Sequence, residues 1–170
     1  MTDPMSIDGA RQAARDVLKQ YGITTAPVPV DRIARELGVR VQFAPFDNEL
    51  SGMAHIRDGV VVVGVNSLHA PNRQRFTLAH EIGHVVLHRH ILEGAVHVDR
   101  VLLRDRNSSA GTDLLEIQAN AFASELLMPT DILEATLGGR QVVLDDDVEV
   151  ATLAKKFRVS ESAMRFRFFK

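Results

Sequence analysis

Arg73-Gln-Arg-Phe76-Thr77-Leu-Ala-His80-Glu81-Ile-Gly-His84-Val-Val-Leu-His88 is the stretch on which the reading of this chain turns. It holds no proline, and its one glycine is Gly83. Phe76, Leu78, Ala79, Ile82, Val85, Val86 and Leu87 would cover most of the circumference of a helix, which is the pattern of a buried one. Thr77, Glu81, His84 and His88 leave a narrow polar stripe, and buried ionisable groups are costly unless paired or bound to metal. His80-Glu81-Ile82-Gly83-His84 is a His-Glu-x-x-His pentapeptide. Residues four apart lie one turn apart on the same helical face. Two imidazoles so placed can share one Zn²⁺ at about 2.1 Å. Glu81 stands beside the first of them and can reach a metal-bound water without occupying the metal. Two ligands and one general base are the arrangement of a metallopeptidase. The bland alternative is a pair of hydrogen-bonded core histidines.

Such a site needs a third protein ligand, and several residues compete. His80 and His88 stand about 12 Å apart along a straight helix, so one ion cannot take both. Pairing His84 with His88 would put Val85 where the base belongs. His90 has the spacing of a metzincin third histidine, but Leu87 stands where that pattern needs a turning glycine. The chain has no cysteine, which removes thiolate ligands and disulfides. The segment Glu116-Ile-Gln-Ala-Asn120-Ala-Phe-Ala-Ser-Glu125-Leu-Leu-Met-Pro129 has helical spacing and a proline stop. Glu116 falls in its first turn, where a carboxylate suits the helix dipole. Asn120 is one turn on, placed to orient a ligand histidine through its second ring nitrogen. Periodicity alone leaves Glu116 open between a ligand and a solvated helix-start carboxylate. Glu125 is its rival and reads better as a salt bridge or cap.

The rest of the chain sets bounds. At 170 residues and net charge −2 it suits one domain, 1–170, with no broad polyanion-binding surface. No signal-peptide core is visible, and the longest valine run is too short to span a bilayer. A cytoplasmic protein without membrane contact is expected. Residues 1–5 read as a flexible start and 6–66 as N-terminal helices and sheet. Residues 71–129 read as the metal-binding helices and 145–170 as a helix-turn-helix-like pair. In detail, helices are expected over 6–20, 29–37, 71–90 and 113–128. A strand is expected over 39–43, and a hairpin over 52–56 and 60–65 around Asp58-Gly59. Val96 to Leu103 has a strand-like part. The fold class is α+β, zincin-like, with a small mixed or antiparallel three-stranded sheet packed on helices. Gly52, Met53 and Ala54 are the candidate edge strand for an added peptide strand, against an ordinary edge with no ligand. Ser160 is a candidate N-cap. Lys155, Lys156, Arg158, Arg165 and Arg167 add positive charge near it, but Asp145 to Asp147 and Glu161 offset them, so direct DNA contact is not expected.

These residues also resemble a family. The stretch from Arg73 to His88 looks like the zinc segment of the ImmA/IrrE metallopeptidases. Glu116 to Pro129 is similar to their second signature. Leu50-Ser51-Gly52-Met53 and Arg104-Asp-Arg-x-Ser-Ser-x-Gly111 look familiar too, and the resemblance spans most of the chain. It implies that His80, His84 and Glu116 are the metal ligands, with Glu81 as catalytic base. Asn120, from its place one turn after Glu116, and His88 are the candidates for supporting the ligands. The cofactor implied is Zn²⁺, and His₂Glu sites also admit other divalent ions such as Mn²⁺. His88, His97 and Arg104 are the candidates for an oxyanion donor, each reading more simply as structural or exposed. The resemblance further implies a protein substrate: a helix-turn-helix transcriptional repressor, cut in mobile-element or stress regulation. The competing reading is a non-catalytic, zinc-containing regulatory or toxin-like module that binds a repressor protein or DNA.

Overall fold

The computed structural model describes residues 6–100 and 110–169. The chain opens with α1 (Ile7–Gln20), where Ser6 Oγ accepts from the Gly9 N–H as N-cap. Then come α2 (Val30–Glu36) and β1 (Val39–Ala44). Strands β2 (Leu50–Arg57) and β3 (Val60–Asn66) form the hairpin. Asp58 and Gly59 both take positive φ, 52° and 75°, which a tight two-residue hairpin turn requires. Helices α3 (Pro71–Leu87) and α4 (Arg89–Leu92) follow. Next are β4 (His97–Arg100), α5 (Ala110–Leu127) and α6 (Thr130–Leu137). The pair α7 (Asp147–Phe157) and α8 (Glu161–Phe168) closes the chain. Ser160 Oγ caps α8 by accepting from the Ala163 N–H.

The class is α+β, but the sheet has four strands rather than three, in the order β1-β3-β2-β4. β1 runs parallel to β3, and β2 is antiparallel to both β3 and β4. The fourth strand changes the role of Gly52, Met53 and Ala54. They are not an open edge: they pair with Asp99, Val98 and His97 of β4. An uncovered row of backbone groups is a liability, and here the connection after α4 returns to cover it. Among the described residues the edges are β1 and β4. Helix α3 also ends earlier than its apolar pattern implies. His88 leaves helical geometry at φ −124° and ψ 29°, and α4 resumes at Arg89. The expected flexible start at 1–5 and the Arg104 to Ser109 run lie outside the described residues.

Every residue of α3 from Thr77 to Val85 is buried, between the sheet on one side and α5 and α1 on the others. Leu78, Ala79, Ile82 and Val85 supply its apolar contact, with Phe122, Ala123 and Leu126 facing it from α5. Each fully buried Leu, Ile or Phe contributes about 1.5–3 kcal/mol. Two glycines set the spacing of these layers. A Cβ on Gly83 would stand 3.2 Å from Phe122 Cδ1 and 3.3 Å from the Ala119 backbone, so α3 and α5 meet backbone to backbone there. A Cβ on Gly52 would stand 2.5 Å from Thr77 Cγ2 and 3.1 Å from Glu81 Oε1, so β2 lies directly on the polar face of α3. Asn66, fully buried at the end of β3, fixes the start of β2. Its Nδ2 donates to the carbonyls of Asp47 and Leu50 at 2.9 and 2.8 Å, and its Oδ1 accepts from the Phe46 and Leu68 N–H groups.

The far end of α5 is tied to α8. Glu125, 1% exposed, accepts from Arg167 at 2.7 Å and from the Thr130 N–H at 3.0 Å, so it both pairs and caps α6. Arg167 also donates to the Met128 carbonyl. Arg165 pairs with Asp147.

Candidate metal centre

Helix α3 places His80 and His84 one turn apart, with their Nε2 atoms 3.1 Å from each other. Helix α5 crosses beside them and brings in Glu116. Its Oε2 lies 3.1 Å from His80 Nε2 and its Oε1 lies 3.3 Å from His84 Nε2. Four donors held about 2.1 Å from a tetrahedral ion stand about 3.4 Å apart, so this cradle has the dimensions of a Zn²⁺ site.

The surrounding hydrogen bonds fix which ring nitrogens carry hydrogen. His80 Nδ1 lies 3.0 Å from Asn120 Oδ1, an acceptor, so Nδ1 donates and Nε2 keeps a lone pair. His88 Nε2 donates to Gln118 Oε1 at 2.9 Å, which leaves His88 Nδ1 to accept from His84 Nδ1 at 3.0 Å. His84 Nε2 is therefore also a lone-pair nitrogen. Two such lone pairs facing each other repel unless a cation or a proton lies between them. A ligand histidine held through its other nitrogen by an oxygen acceptor or a relay is the usual support of a metal site. Glu81 gives a further sign of fit: it is fully buried, and its Oε1 has no hydrogen-bond partner. An orphaned carboxylate oxygen is expensive unless something polar is held in front of it.

His97, brought in by β4, completes the cluster. Its Nδ1 lies 3.1 Å from Glu81 Oε2 and its Nε2 lies 2.8 Å from Glu116 Oε1. Its ring centroid is 3.8 Å from that of His84. Nothing in the spacing of His97 along the chain relates it to His84; the pairing of Ala54 with His97 across β2 and β4 puts it here. The strand-like character of Val96 to Leu103 and the candidacy of His97 as an oxyanion donor were its signals in the sequence.

The charges answer to this geometry. Burial disfavours the imidazolium of His84, and with nearby His80 and His97 it lowers the pKa to about 3. Burial also opposes charge on His97, but hydrogen bonds to Glu116 and Glu81 outweigh it and raise the pKa to about 10. Without a metal, His97 is thus a cation between two carboxylates. Burial raises the Glu81 pKa, only partly offset by His97. For Glu116, burial is overcome by hydrogen bonds from His80, His84 and His97, which hold it ionised well below the usual carboxylate range.

Of the residues singled out by sequence, His80, Glu81, His84, Glu116, Asn120 and His88 therefore meet at one place. His90 is exposed on α4, Glu125 is engaged with Arg167, and Arg104 lies outside the described residues. A cavity of about 670 Å³ is lined by Phe76, Thr77, Asp99, Met128, Phe166 and Asn120, the hydrogen-bond partner of His80, among others. No described helix is long and apolar enough to cross a membrane.

Comparison with known proteins gives a family and a fold. The model of a peptidase family, described as the IrrE N-terminal-like domain, matches residues 34–169. The radiation response metalloprotease IrrE of Deinococcus deserti is 29% identical over 151 residues, covering 81% of this chain and 48% of that protein. Its namesake in Deinococcus radiodurans is 29% identical over 180 residues, covering 96% of this chain and 47% of that protein. The chain spans about half the length of these curated relatives. Among solved structures, a Mycobacterium tuberculosis transcriptional regulator superposes with a TM-score of 0.58 at 16% identity. That match covers 91% of this chain and 45% of the regulator and shows a shared fold.

Proposed function

Because the chain belongs to the IrrE N-terminal-like domain family of peptidases, we propose that it is a zinc-dependent endopeptidase acting on a protein substrate. The observation that carries this reading is the meeting of His80 Nε2, His84 Nε2 and the Glu116 carboxylate within 3.3 Å, beside a buried and unpartnered Glu81 Oε1. His80, His84 and Glu116 would hold the ion. Bound zinc supplies Lewis acidity, lowering the pKa of water toward about 7 and polarising a carbonyl. Glu81 Oε1 takes the proton from the attacking water and later delivers it to the leaving amine. Its burial suits that task, because a base works best with a pKa raised toward the working pH. Asn120 and His88 keep the two ligand histidines in the binding tautomer. The resemblance to ImmA/IrrE enzymes supports a helix-turn-helix repressor as the substrate and a cytoplasmic setting, and Mn²⁺ is the other ion that the donor set admits.

Glu81→Gln tests the reading. The variant is expected to keep its fold and one equivalent of zinc while losing about 10²–10⁴-fold in repressor cleavage. Cleavage at the unaltered rate would overturn the base assignment. A zinc-loaded wild type that binds the repressor without cutting it would favour the non-catalytic regulatory module instead.

A further inference from the structure

The three histidines of the centre share one orientation. His80 hands its Nδ1 hydrogen to Asn120, and His84 hands its own to His88. His97 Nδ1 faces Glu81 Oε2, and an ionised carboxylate only accepts. Each ring therefore turns Nε2 inward. The inward atom of His97 lies 2.8 Å from Glu116 Oε1. Donor atoms of His80, His84, His97 and Glu116 all fall within 4.8 Å of one another. With Nδ1 held by the Glu81 carboxylate, His97 Nε2 becomes a ligand nitrogen once the hydrogen it shares with Glu116 Oε1 is displaced by the ion.

We propose that His97 is a fourth protein ligand, so that the substrate-free chain holds its ion in a closed His₃Glu shell. This inference rests on the metal-site reading above. A shell with four protein donors is a structural site; catalysis needs one of the four positions to open. His97 is the donor placed to leave. His80 and His84 are fixed in the buried stretch of α3, and Glu116 rides on α5. Among the described residues, His97 rides on a four-residue edge strand paired on one side only, with a register shift between Leu50 and Gly52. Short edge elements with few buried contacts open at the lowest cost. Withdrawal of His97 would free the fourth position and Glu81 Oε2 together. A single displacement of β4 thus vacates the place for water and releases the base. Among the described residues, the unpaired side of β4 is also the sheet edge next to the centre, where a substrate strand can add.

The test uses the full chain loaded with Co²⁺ or Zn²⁺. The Co²⁺ visible spectrum of the wild type is expected to be unmoved by azide, because no position is exchangeable. In His97→Ala and in His97→Gln, azide is expected to shift the spectrum, and Zn²⁺ affinity measured against a chelator is expected to fall by about tenfold or more. Two variants are used so that a folding defect in one does not decide the matter. An azide-responsive wild type, or variants whose Zn²⁺ affinity stays within about twofold of it, would overturn the fourth-ligand assignment while leaving the three-ligand site intact. A wild type that takes up no stoichiometric metal would overturn both.

Discussion

Gly52→Ala is the most discriminating perturbation of this fold, because its sign depends on one contact. The φ of Gly52 lies outside the left-handed region, so the backbone admits alanine. Absent any clash, replacing glycine by alanine stabilises by about 0.4–1 kcal/mol through the unfolded chain. Here the new Cβ would stand 2.5 Å from Thr77 Cγ2, 3.1 Å from the Gly64 carbonyl and 3.1 Å from Glu81 Oε1. Carbon atoms rest at about 3.5–4.0 Å, so the methyl groups interpenetrate by about 1 Å. β2 cannot retreat, since Gly52 is paired with Val65 on one side and Asp99 on the other. Thr77 is itself buried in α3. Overpacking of this kind costs about 1–3 kcal/mol, which lowers Tm by roughly 2–4 °C per kcal/mol in a domain of this size. Thr77→Ser removes Cγ2 and keeps the hydroxyl. The double variant is therefore expected to recover about 1–2 kcal/mol relative to the sum of the single changes. If the chain cleaves protein as proposed, cleavage should stay low in the double variant, because the new methyl still presses on the Glu81 carboxylate. Thermal unfolding of the four proteins, followed by circular dichroism, measures the coupling. A Gly52→Ala protein as stable as the wild type, or energies that simply add, would refute the claimed contact between β2 and α3.

Three further outcomes follow from the same geometry. The joint contribution of His84 and His97 to the stability of the metal-free chain should be greatest near pH 6.5, the ordinary histidine value. His97, raised to about 10, contributes stability that is complete below 6.5 and lost as pH rises through 10. His84, lowered to about 3, loses stability as pH falls from 6.5, because the unfolded chain takes up the proton first. Urea denaturation in excess chelator across that range checks this, and a flat profile would contradict it. Asn120→Ala and His88→Ala should each weaken Zn²⁺ binding by about 10–100-fold in chelator competition, since each leaves one ligand histidine without its partner. Unchanged affinity would remove that residue from the support of the site. Arg167→Ala should destabilise the domain by about 3 kcal/mol in urea, because Glu125 would keep a buried charge without its closest cation. A loss within about 0.5 kcal/mol would show the pair to be dispensable.

The local chemistry was legible where one element carried it. A period of 3.6 placed His80, Glu81 and His84 on one face of α3, and the same period placed Glu116 above Asn120 on α5. Asp58-Gly59 announced its hairpin because few other residues accept positive φ twice running. What escaped is what only long-range contact decides. The break at His88 has no glycine or proline to mark it; the side chain is held between His84 and Gln118. Pro129 reads as the end of α5, yet it also begins α6. Gly52, read as part of a substrate edge, is small because Thr77 and Glu81 lie beneath it. His97 reads as a strand-like residue and a candidate oxyanion donor, and only the pairing of β4 with β2 brings it to the histidines of α3.

The crossing of α3 and α5 at Gly83 has a mechanical consequence. An ion gripped by both helices would rivet two rods whose backbones already touch, so extracting it should loosen a joint rather than melt the body. Deuterium uptake after chelation should then quicken in the turn around Glu116 and in β4, while the amides beneath Phe122 stay slow.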